Sequence, residues 1–471
     1  MKRIIKILFV LYFIIGFNFQ ANATLAIHHP SLEQDLLLKN DDLKFQSCDN
    51  LTLVKTELVE IKITNYEITE NGSFLITGLL IHTTLYGDLT LKREFQNNAL
   101  IIDIITNPYF LRLFRINQYG LSVFSKHSKD LFKDKSFHKY TRGDHSINMA
   151  MILVNFNRPI YEIICALLHD FTHTLLSHLG DSLLRLLIEQ NYNDEIIKQI
   201  SDLILSSKEQ KTAIQDMIFE WYFEITGITK ILNEYGIELS KILLENNPVI
   251  KRPAPLLCAD NLEYTLTGAF LAGIITKEII DDITKHLNIT EDNYWIFKKY
   301  KKNEDDTTCI YMATILFNTS MELDKKNSAA PWNAIMNYYG AILFQKALNI
   351  GIITVENLIL DTETSDDMLW TKIKSSKDLD IKDLRNKVKK PSKVFRFLKK
   401  QTKTSFKITT KTRIIDPKIE LENGEINLLS ELNFKITKIL KNYNFIMCKQ
   451  GHCVKFFSND YLPEKKLIEG Y

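Results

Sequence analysis

The sequence predicts a mainly α fold with smaller β-containing parts towards its two ends. Three observations carry that expectation. Glycine and proline are scarce, at 16 and 10 of 471 residues, while Ile, Lys and Asn are plentiful, so little in the chain interrupts helices. From about residue 107 to 360, apolar side chains recur at spacings of three and four, the helical period. Around 50–105 and again around 406–457 they alternate with period two, the pattern of half-buried strands. The length allows about two or three domains and a large core. A formal net charge of +2 gives no global pull towards nucleic acid or membrane, and 25% charged with 45% hydrophobic residues is ordinary for a globular protein.

The N-terminus has the pattern of a targeting segment. Lys2, Arg3 and Lys6 form a basic start, residues 7–17 an apolar run, and Ala21-Asn22-Ala23 a small-residue cleavage site. The apolar run is short for a bilayer span, and no other segment approaches about 18 uninterrupted apolar residues. Residues 1–23 are therefore expected to be a signal peptide, with the mature chain exported to a periplasm or secreted; an uncleaved anchor is the alternative. Export permits disulfides, although a chain this large does not depend on them. Of the six cysteines, which include Cys48 and Cys309, Cys165 and Cys258 lie in apolar runs and are expected as buried thiols. Cys448 and Cys453 flank Lys-Gln-Gly-His between two strand-like runs, where a hairpin disulfide and two free thiols are both open.

Residues 24–105 form the expected N-terminal β-rich region. Val59-Glu60-Ile61-Lys62-Ile63-Thr64 alternates, and Glu70-Asn71-Gly72-Ser73 is a turn before Phe74-Leu75-Ile76. Residues 106–370 form the expected helical core, with helical spacing over 150–168, 181–189, 195–205 and 215–225. Asn247-Pro248 and Arg252-Pro253-Ala254-Pro255 break the helices, and Asp260 is the only carboxylate between those prolines and Glu263. Residues 371–471 form a basic α+β region. About sixteen Lys and Arg stand between 366 and 413, and the remainder suggests strands around one helix at 433–441.

The chemistry centres on Leu167-Leu168-His169-Asp170-Phe171-Thr172-His173-Thr174-Leu175-Leu176-Ser177-His178. Three histidines and an aspartate in an apolar, helix-forming run are costly to bury unless something pairs them, and a metal ion is the usual partner. On a helix, His169 and Asp170 would both lean over one ion, with His173 on the same face as His169. Further ligands must come from elsewhere. Tyr140-Thr141-Arg142-Gly143-Asp144-His145-Ser146 stands upstream, and Leu257-Cys258-Ala259-Asp260-Asn261-Leu262-Glu263-Tyr264 downstream.

The order His, His-Asp, Asp resembles the signature of HD-domain metal-dependent phosphohydrolases. It is closest to the deoxynucleoside triphosphate triphosphohydrolase branch, which includes bacterial dGTPases and the human SAM-and-HD-domain protein. That branch reads roughly RLxxIxQLG, RxxHSxGV, LLHDxGHxPFSH and DxxDYxxRD. Here the matching blocks are Arg112-Leu113-Phe114-Arg115-Ile116-Asn117-Gln118-Tyr119-Gly120, then residues 142–146, the histidine run, and residues 260–264. Weaker similarity continues through Asp366-Asp367-Met368-Leu369-Trp370.

The resemblance implies a helical HD-domain core in which His145, His169, Asp170 and Asp260 bind one divalent transition metal. Iron, manganese and zinc suit that set, with magnesium suited to neighbouring substrate phosphates. It implies His178 as proton donor with Asp181 orienting it, and His173 beside the phosphate. Arg142, Gln118, Tyr264 and Arg112 fall among the substrate contacts. The reaction implied is attack of water on an α-phosphorus, giving nucleoside and inorganic triphosphate. The chain departs from the pattern at Thr172, at Leu175-Leu176, at Tyr119 and at Asn261, where some members have a lysine. Above all, Thr267 and Gly268 replace the Arg-Asp that follows the tyrosine. These departures open a second reading, a phosphohydrolase acting on another nucleotide or phosphoester. A third is a catalytically silent HD-domain binding protein. His127 and His138, in a lysine-rich loop, are expected to be solvated. The basic stretch from Lys372 to Arg413 is expected to be a solvated face, with a nucleic-acid or regulatory-nucleotide surface as the minority reading. A homo-oligomer is an expectation of the resemblance alone.

Overall fold

The structure is a computed structural model. It describes residues 51–457 apart from 69–73, 133–135, 207–213, 244–246, 301–304, 400–401 and 403–404. The expected signal peptide at 1–23, Cys48 and the turn at 70–73 lie outside the described residues. The fold is mainly α with small sheets, as the sequence predicts.

Strands β1 (Leu51–Lys55), β2 (Val59–Ile68), β3 (Phe74–Thr83) and β4 (Gly87–Lys92) form an antiparallel meander in sequence order. Its alternation is the one read from sequence. Val59, Ile61 and Ile63 are buried, while Glu60 and Lys62 pair at 2.9 Å away from the core. The last ten residues of the stretch read as β-rich instead form a helix, α1 (Gln96–Ile105). Ala99, Leu100, Ile101, Ile102, Ile104 and Ile105 are all buried there, and a near-continuous apolar run carries no period to separate strand from helix.

The helical stretch 150–168 is two helices, α2 (Arg142–Asn155) and α3 (Ile160–Leu168), because Pro159 sits at the break and Asn157 takes φ 51°. Helix α4 (His178–Glu189) and α5 (Glu195–Ser206) follow. Then come α6 (Ala259–Leu271), α7 (Asp306–Leu323) and the long α8 (Pro331–Asn349). Helix α2 packs against α3 and α6, α6 against α7, and α8 against α4. Among the described residues no helix is long and apolar enough to cross a membrane.

The basic stretch supplies α9 (Asp366–Ser375) and α10 (Leu379–Lys389), with Leu369, Trp370, Ile373, Ile381, Leu384 and Val388 buried. The C-terminal region is stitched to the helices. Strands β5 (Leu287–Ile289) and β6 (Trp295–Phe297) join β9 (Lys418–Glu420) and β10 (Ile426–Leu428), with β6 parallel to β9. Strands β7 (Phe395–Phe397), β8 (Phe406–Ile408) and β11 (His452–Phe456) make a three-stranded sheet with β11 central. Helix α11 (Phe434–Asn444) stands where one was expected, but it runs on through a π-helical turn at Phe445–Gln450. Cys448 therefore sits on a helical turn, not a strand. Its thiol meets the Thr410 carbonyl at 3.3 Å, and Cys448 and Cys453 are both free.

Candidate metal centre

Local sequence brings the blocks together before any metal is considered. Thr141 caps α2 in a reciprocal box with Asp144, which also accepts from Thr56 Oγ1 at 2.5 Å. The cap places Arg142 and His145 on the first turn. The segment 112–120 pairs with the chain leading into α2, Gln118 N donating to Tyr140 O (2.8 Å) and Arg142 N to Ile116 O (2.9 Å). Gly143 is required there, because a Cβ would stand 2.5 Å from the Phe114 ring. Gly120 likewise lets the first block approach the histidine loop, since its Cβ would lie 2.5 Å from Leu176 O.

The histidine run is not one helix. Helix α3 ends at Leu168 with His169 as its C-cap, and residues 169–177 form successive turns. The reason is competition for the backbone. Leu175 N donates to Leu358 O at 2.9 Å, and Leu176 N to Asp366 Oδ1 at 2.7 Å. Leu176 and Ser177 take positive φ (67° and 55°), strained for non-glycine residues and sustained by these tertiary bonds. The same Asp366 accepts from Asn117 N at 2.8 Å, so one buried carboxylate ties the first block to the histidine loop.

The four expected ligands meet. His145 Nε2 lies 3.1 Å from His169 Nε2, 3.2 Å from Asp260 Oδ1 and 3.9 Å from Asp170 Oδ2. His169 Nε2 lies 3.5 Å from Asp170 Oδ2. The tautomers follow from the far side of each ring. His169 Nδ1 faces the Ala166 carbonyl at 2.7 Å, and His145 Nδ1 faces Glu263 Oε2. Each Nδ1 carries the proton donated to its oxygen, so both Nε2 lone pairs point at one another and at two carboxylates. Converging acceptors repel unless a cation lies among them. Two ligands about 2.1 Å from one ion and about 90–110° apart stand roughly 3.0–3.4 Å from each other; the His145–His169 and His145–Asp260 pairs fall in that range, and Asp170 stands slightly farther out. His145, His169 and Asp170 therefore form a group able to hold a divalent metal, with Asp260 beside it at His145.

Without a metal ion, a proton takes the cation's place: His145 is held as an imidazolium by its acidic neighbours, and a metal would have to displace that proton from Nε2. Burial disfavours charge on His145, yet Glu263, Asp260 and Asp170 outweigh it and lift its pKa to about 10. Burial opposes the Asp170 carboxylate, but Arg142 and the neighbouring histidines hold it well below its ordinary range. Asp260 is lowered in the same way, mainly through His145. Burial lowers His169, as suits a neutral ligand.

Glu263 is the residue the sequence did not single out as part of the site. It is fully buried and accepts from Tyr140 Oη, from Asn148 Nδ2 at 3.1 Å and from Thr267 Oγ1 at 2.6 Å, besides facing His145. Its position one turn after Asp260 was a signal: a carboxylate there shares the face of a ligand. The two unusual residues after Tyr264 are explained by this interior. Thr267 secures Glu263, and Tyr86 Oη meets Thr267 Oγ1 at 3.2 Å. Gly268 makes room for Tyr119, whose hydroxyl would overlap a Cβ there and whose ring stacks on Phe137 at 4.2 Å. Two departures from the resemblance, Tyr119 and Gly268, thus pack against each other. Asn261 closes the start of α6, accepting from Cys258 N (2.9 Å) and donating to Leu256 O (2.7 Å).

The remaining expected residues are placed as follows. Arg142 donates to Asp170 Oδ2 (2.6 Å), Ser177 Oγ (3.0 Å) and the Gln118 carbonyl (3.3 Å), holding a ligand and the loop at once. Gln118 is buried, and its Oε1 has no hydrogen-bond partner among the described residues. His173 Nε2 lies 3.1 Å from Asp170 Oδ1, and burial lowers its pKa to about 4. The His173 ring stands 5.4 Å from that of His178, and Tyr264 stands 6.5 Å from His145. Arg112 lies wholly buried beneath the loop, its guanidinium on the carbonyls of His173 (2.8 Å) and Leu358 (2.7 Å). Both of those groups are backbone, so it supports the loop. Asp181 does not face His178. Its carboxylate accepts from Ile214 N (2.5 Å) and Gln215 N (3.4 Å), at the start of the short helix Ile214–Met217, and pairs with Arg185. Arg413 is the partner of His178 instead, at 3.2 Å. His127 and His138 are half-buried, not fully solvated, and His127 packs on Trp332.

The chain is similar to several known proteins. It is 24% identical to a metal-dependent phosphohydrolase of Cordyceps militaris over 45% of this chain and 50% of that protein. It is 24% identical to an uncharacterized protein of Bacillus subtilis over 60% and 75%, and 26% identical to a deoxyguanosinetriphosphate triphosphohydrolase-like protein of Neorickettsia sennetsu over 42% and 53%. The chain thus spans about half the length of two of these three relatives. A phosphohydrolase structure from Bacteroides thetaiotaomicron shares the fold, with a TM-score of 0.53 at 14% identity, covering 80% of this chain and 98% of that one. No family model matches the chain. Relatives named for phosphohydrolysis, a shared fold and a His/Asp cluster able to hold a metal together support a phosphohydrolase of the HD type.

Proposed function

We propose that this chain is a metal-dependent phosphohydrolase acting on a nucleotide or a related phosphoester, with a (deoxy)nucleoside triphosphate as the first substrate to test. The observation that carries this reading is the convergence of the His145 and His169 Nε2 atoms with Asp170 and Asp260. A divalent ion of iron, manganese or zinc in that set supplies positive charge for phosphoryl oxygens and acidifies water, with magnesium suited to the outer phosphates.

The chain's own groups do the rest. Glu263 and the Ala166 carbonyl fix the two imidazoles in ligand orientation. Arg142 holds Asp170 and the strained Ser177, and Arg112 and Asp366 hold the loop from below. In the triphosphohydrolase reading, water adds at the α-phosphorus, the bond from that phosphorus to the nucleoside oxygen breaks, and a proton goes to the leaving oxygen. His178, on the cleft wall, is the donor; His173, Gln118 and Tyr264 line the phosphate and sugar path. Export to a periplasm or the exterior stays part of the proposal, resting on the N-terminal pattern alone.

A second reading, hydrolysis of a different phosphoester, is favoured by one observation. Thr267 and Gly268 are committed to the interior, through Glu263 and Tyr119, at the positions where the resemblance has Arg and Asp. Product analysis separates the two. Metal-loaded protein is incubated with nucleoside mono-, di- and triphosphates and simple phosphoesters, and products are identified by mass. Inorganic triphosphate establishes the first reading; orthophosphate or pyrophosphate establishes the second. No turnover with any metal, together with an inert His169→Ala/Asp170→Ala variant, leaves a silent binding protein.

A further inference from the structure

The segment 410–416 lies far along the chain from the histidine loop, yet it is strapped to the helical part. Thr410 Oγ1 donates to Ala329 O (3.0 Å), Arg413 N to Asp324 Oδ1 (3.2 Å), Ile415 N to Ser320 Oγ (3.0 Å) and Asp416 N to Pro255 O (2.8 Å). Ile414 and Ile415 are buried behind it. The backbone around Arg413 is therefore fixed, while its side chain is exposed on the other side. Its Nη2 stands 3.2 Å from His178 Nε2. Arginine has no acceptor, so the histidine nitrogen accepts. The guanidinium charge is also felt at Tyr119 and at Tyr264, which stands one turn after Asp260 on α6. Among the described residues no carboxylate oxygen forms a salt bridge with that guanidinium. A planar, permanently charged fork that is exposed and meets an imidazole instead of a carboxylate is suited to meet an anion.

We propose that Arg413 is a substrate-binding residue that grips a phosphate beyond the one being cleaved, so that the C-terminal basic region completes the active site. The inference rests on the phosphohydrolase reading above. It also assigns a role within the basic stretch: one arginine of the sixteen or so Lys and Arg meets His178, whatever the others do. A substrate with a single phosphate would leave Arg413 without its partner; one with two or three would engage it.

The test uses the metal-loaded full chain with inorganic triphosphate and orthophosphate as calorimetric probes, comparing wild type with Arg413→Gln and Arg413→Lys. The expected result is a loss of triphosphate affinity of about tenfold or more in Arg413→Gln, a smaller loss in Arg413→Lys, and a change of less than about threefold for orthophosphate. With a hydrolysable substrate, the loss should fall mainly on KM. Unchanged triphosphate binding in Arg413→Gln, at an unchanged thermal midpoint, overturns the proposal while leaving the phosphohydrolase reading intact. Failure of the wild type to bind triphosphate overturns the proposal, and failure to hydrolyse any phosphoester overturns the reading beneath it. A drop in thermal midpoint with equal loss for both probes also overturns it, since that pattern marks a structural residue.

Discussion

Glu263 shows how much a single buried side chain can decide. It faces His145 Nδ1 and gathers Tyr140, Asn148 and Thr267 around it. Glu263→Gln keeps the volume but removes the charge that holds His145 Nδ1–H. Metal affinity should fall by about 10- to 100-fold, read by titration with a competing chelator; an unchanged affinity would mean that His145 needs no such support. Gly268 makes an independent prediction. Gly268→Ala drives a methyl into the Tyr119 hydroxyl and should destabilise the fold by about 1–3 kcal/mol in urea titration. Tyr119→Phe removes the clashing oxygen, so the double variant should regain most of that loss. No recovery in the double variant would show that the clash lies elsewhere.

At the scale of elements, the histidine loop is held from outside itself. Asp366, at the start of α9, takes the backbone N–H of both Asn117 and Leu176. Burial raises Asp366 to about 6, and Asp324, beneath the Arg413 strap, is raised to about 6 by the same cause. Both lie above the roughly 4 expected of an unfolded aspartate. The native state thus keeps protons that the unfolded chain has released, and stability should fall as pH rises from about 4 to about 6. Asp366→Asn should flatten part of that slope in thermal midpoints measured across the window; an unaltered slope would place the titration in other groups.

Over the whole molecule, what the sequence made legible was whatever depends on local pattern. Period two placed β2, spacings of three and four placed α4 and α5, and a resemblance of ordered blocks pointed to four candidate ligands, His145 and three that stand within 4 Å of its Nε2. What escaped depends on distant partners. The helix read through residues 169–177 is unwound by bonds to Leu358 and Asp366, some 180 residues away. Helix α1 escaped because a solid apolar run has no period. Asp181 was read as a neighbour of His178 by helical spacing, and backbone groups at 214–215 claim it instead. Arg413 lay in a stretch read as solvated, because no local rule links residue 413 to residue 178. The C-terminal region is tied to the helical part through contacts distant in sequence, among them strand pairing of β6 with β9 and the strap at 410–416.

Metal content against ligand integrity bears most directly on all of this. Full-length protein, loaded with manganese, iron or zinc and then dialysed, is analysed by elemental mass spectrometry beside the His169→Ala/Asp170→Ala variant. The convergent set should retain about one divalent ion per chain in the wild type and little in the variant, with phosphoester hydrolysis lost in parallel. Equal metal retention in the two proteins, or none in the wild type under any loading, would contradict a metal centre at His145, His169, Asp170 and Asp260.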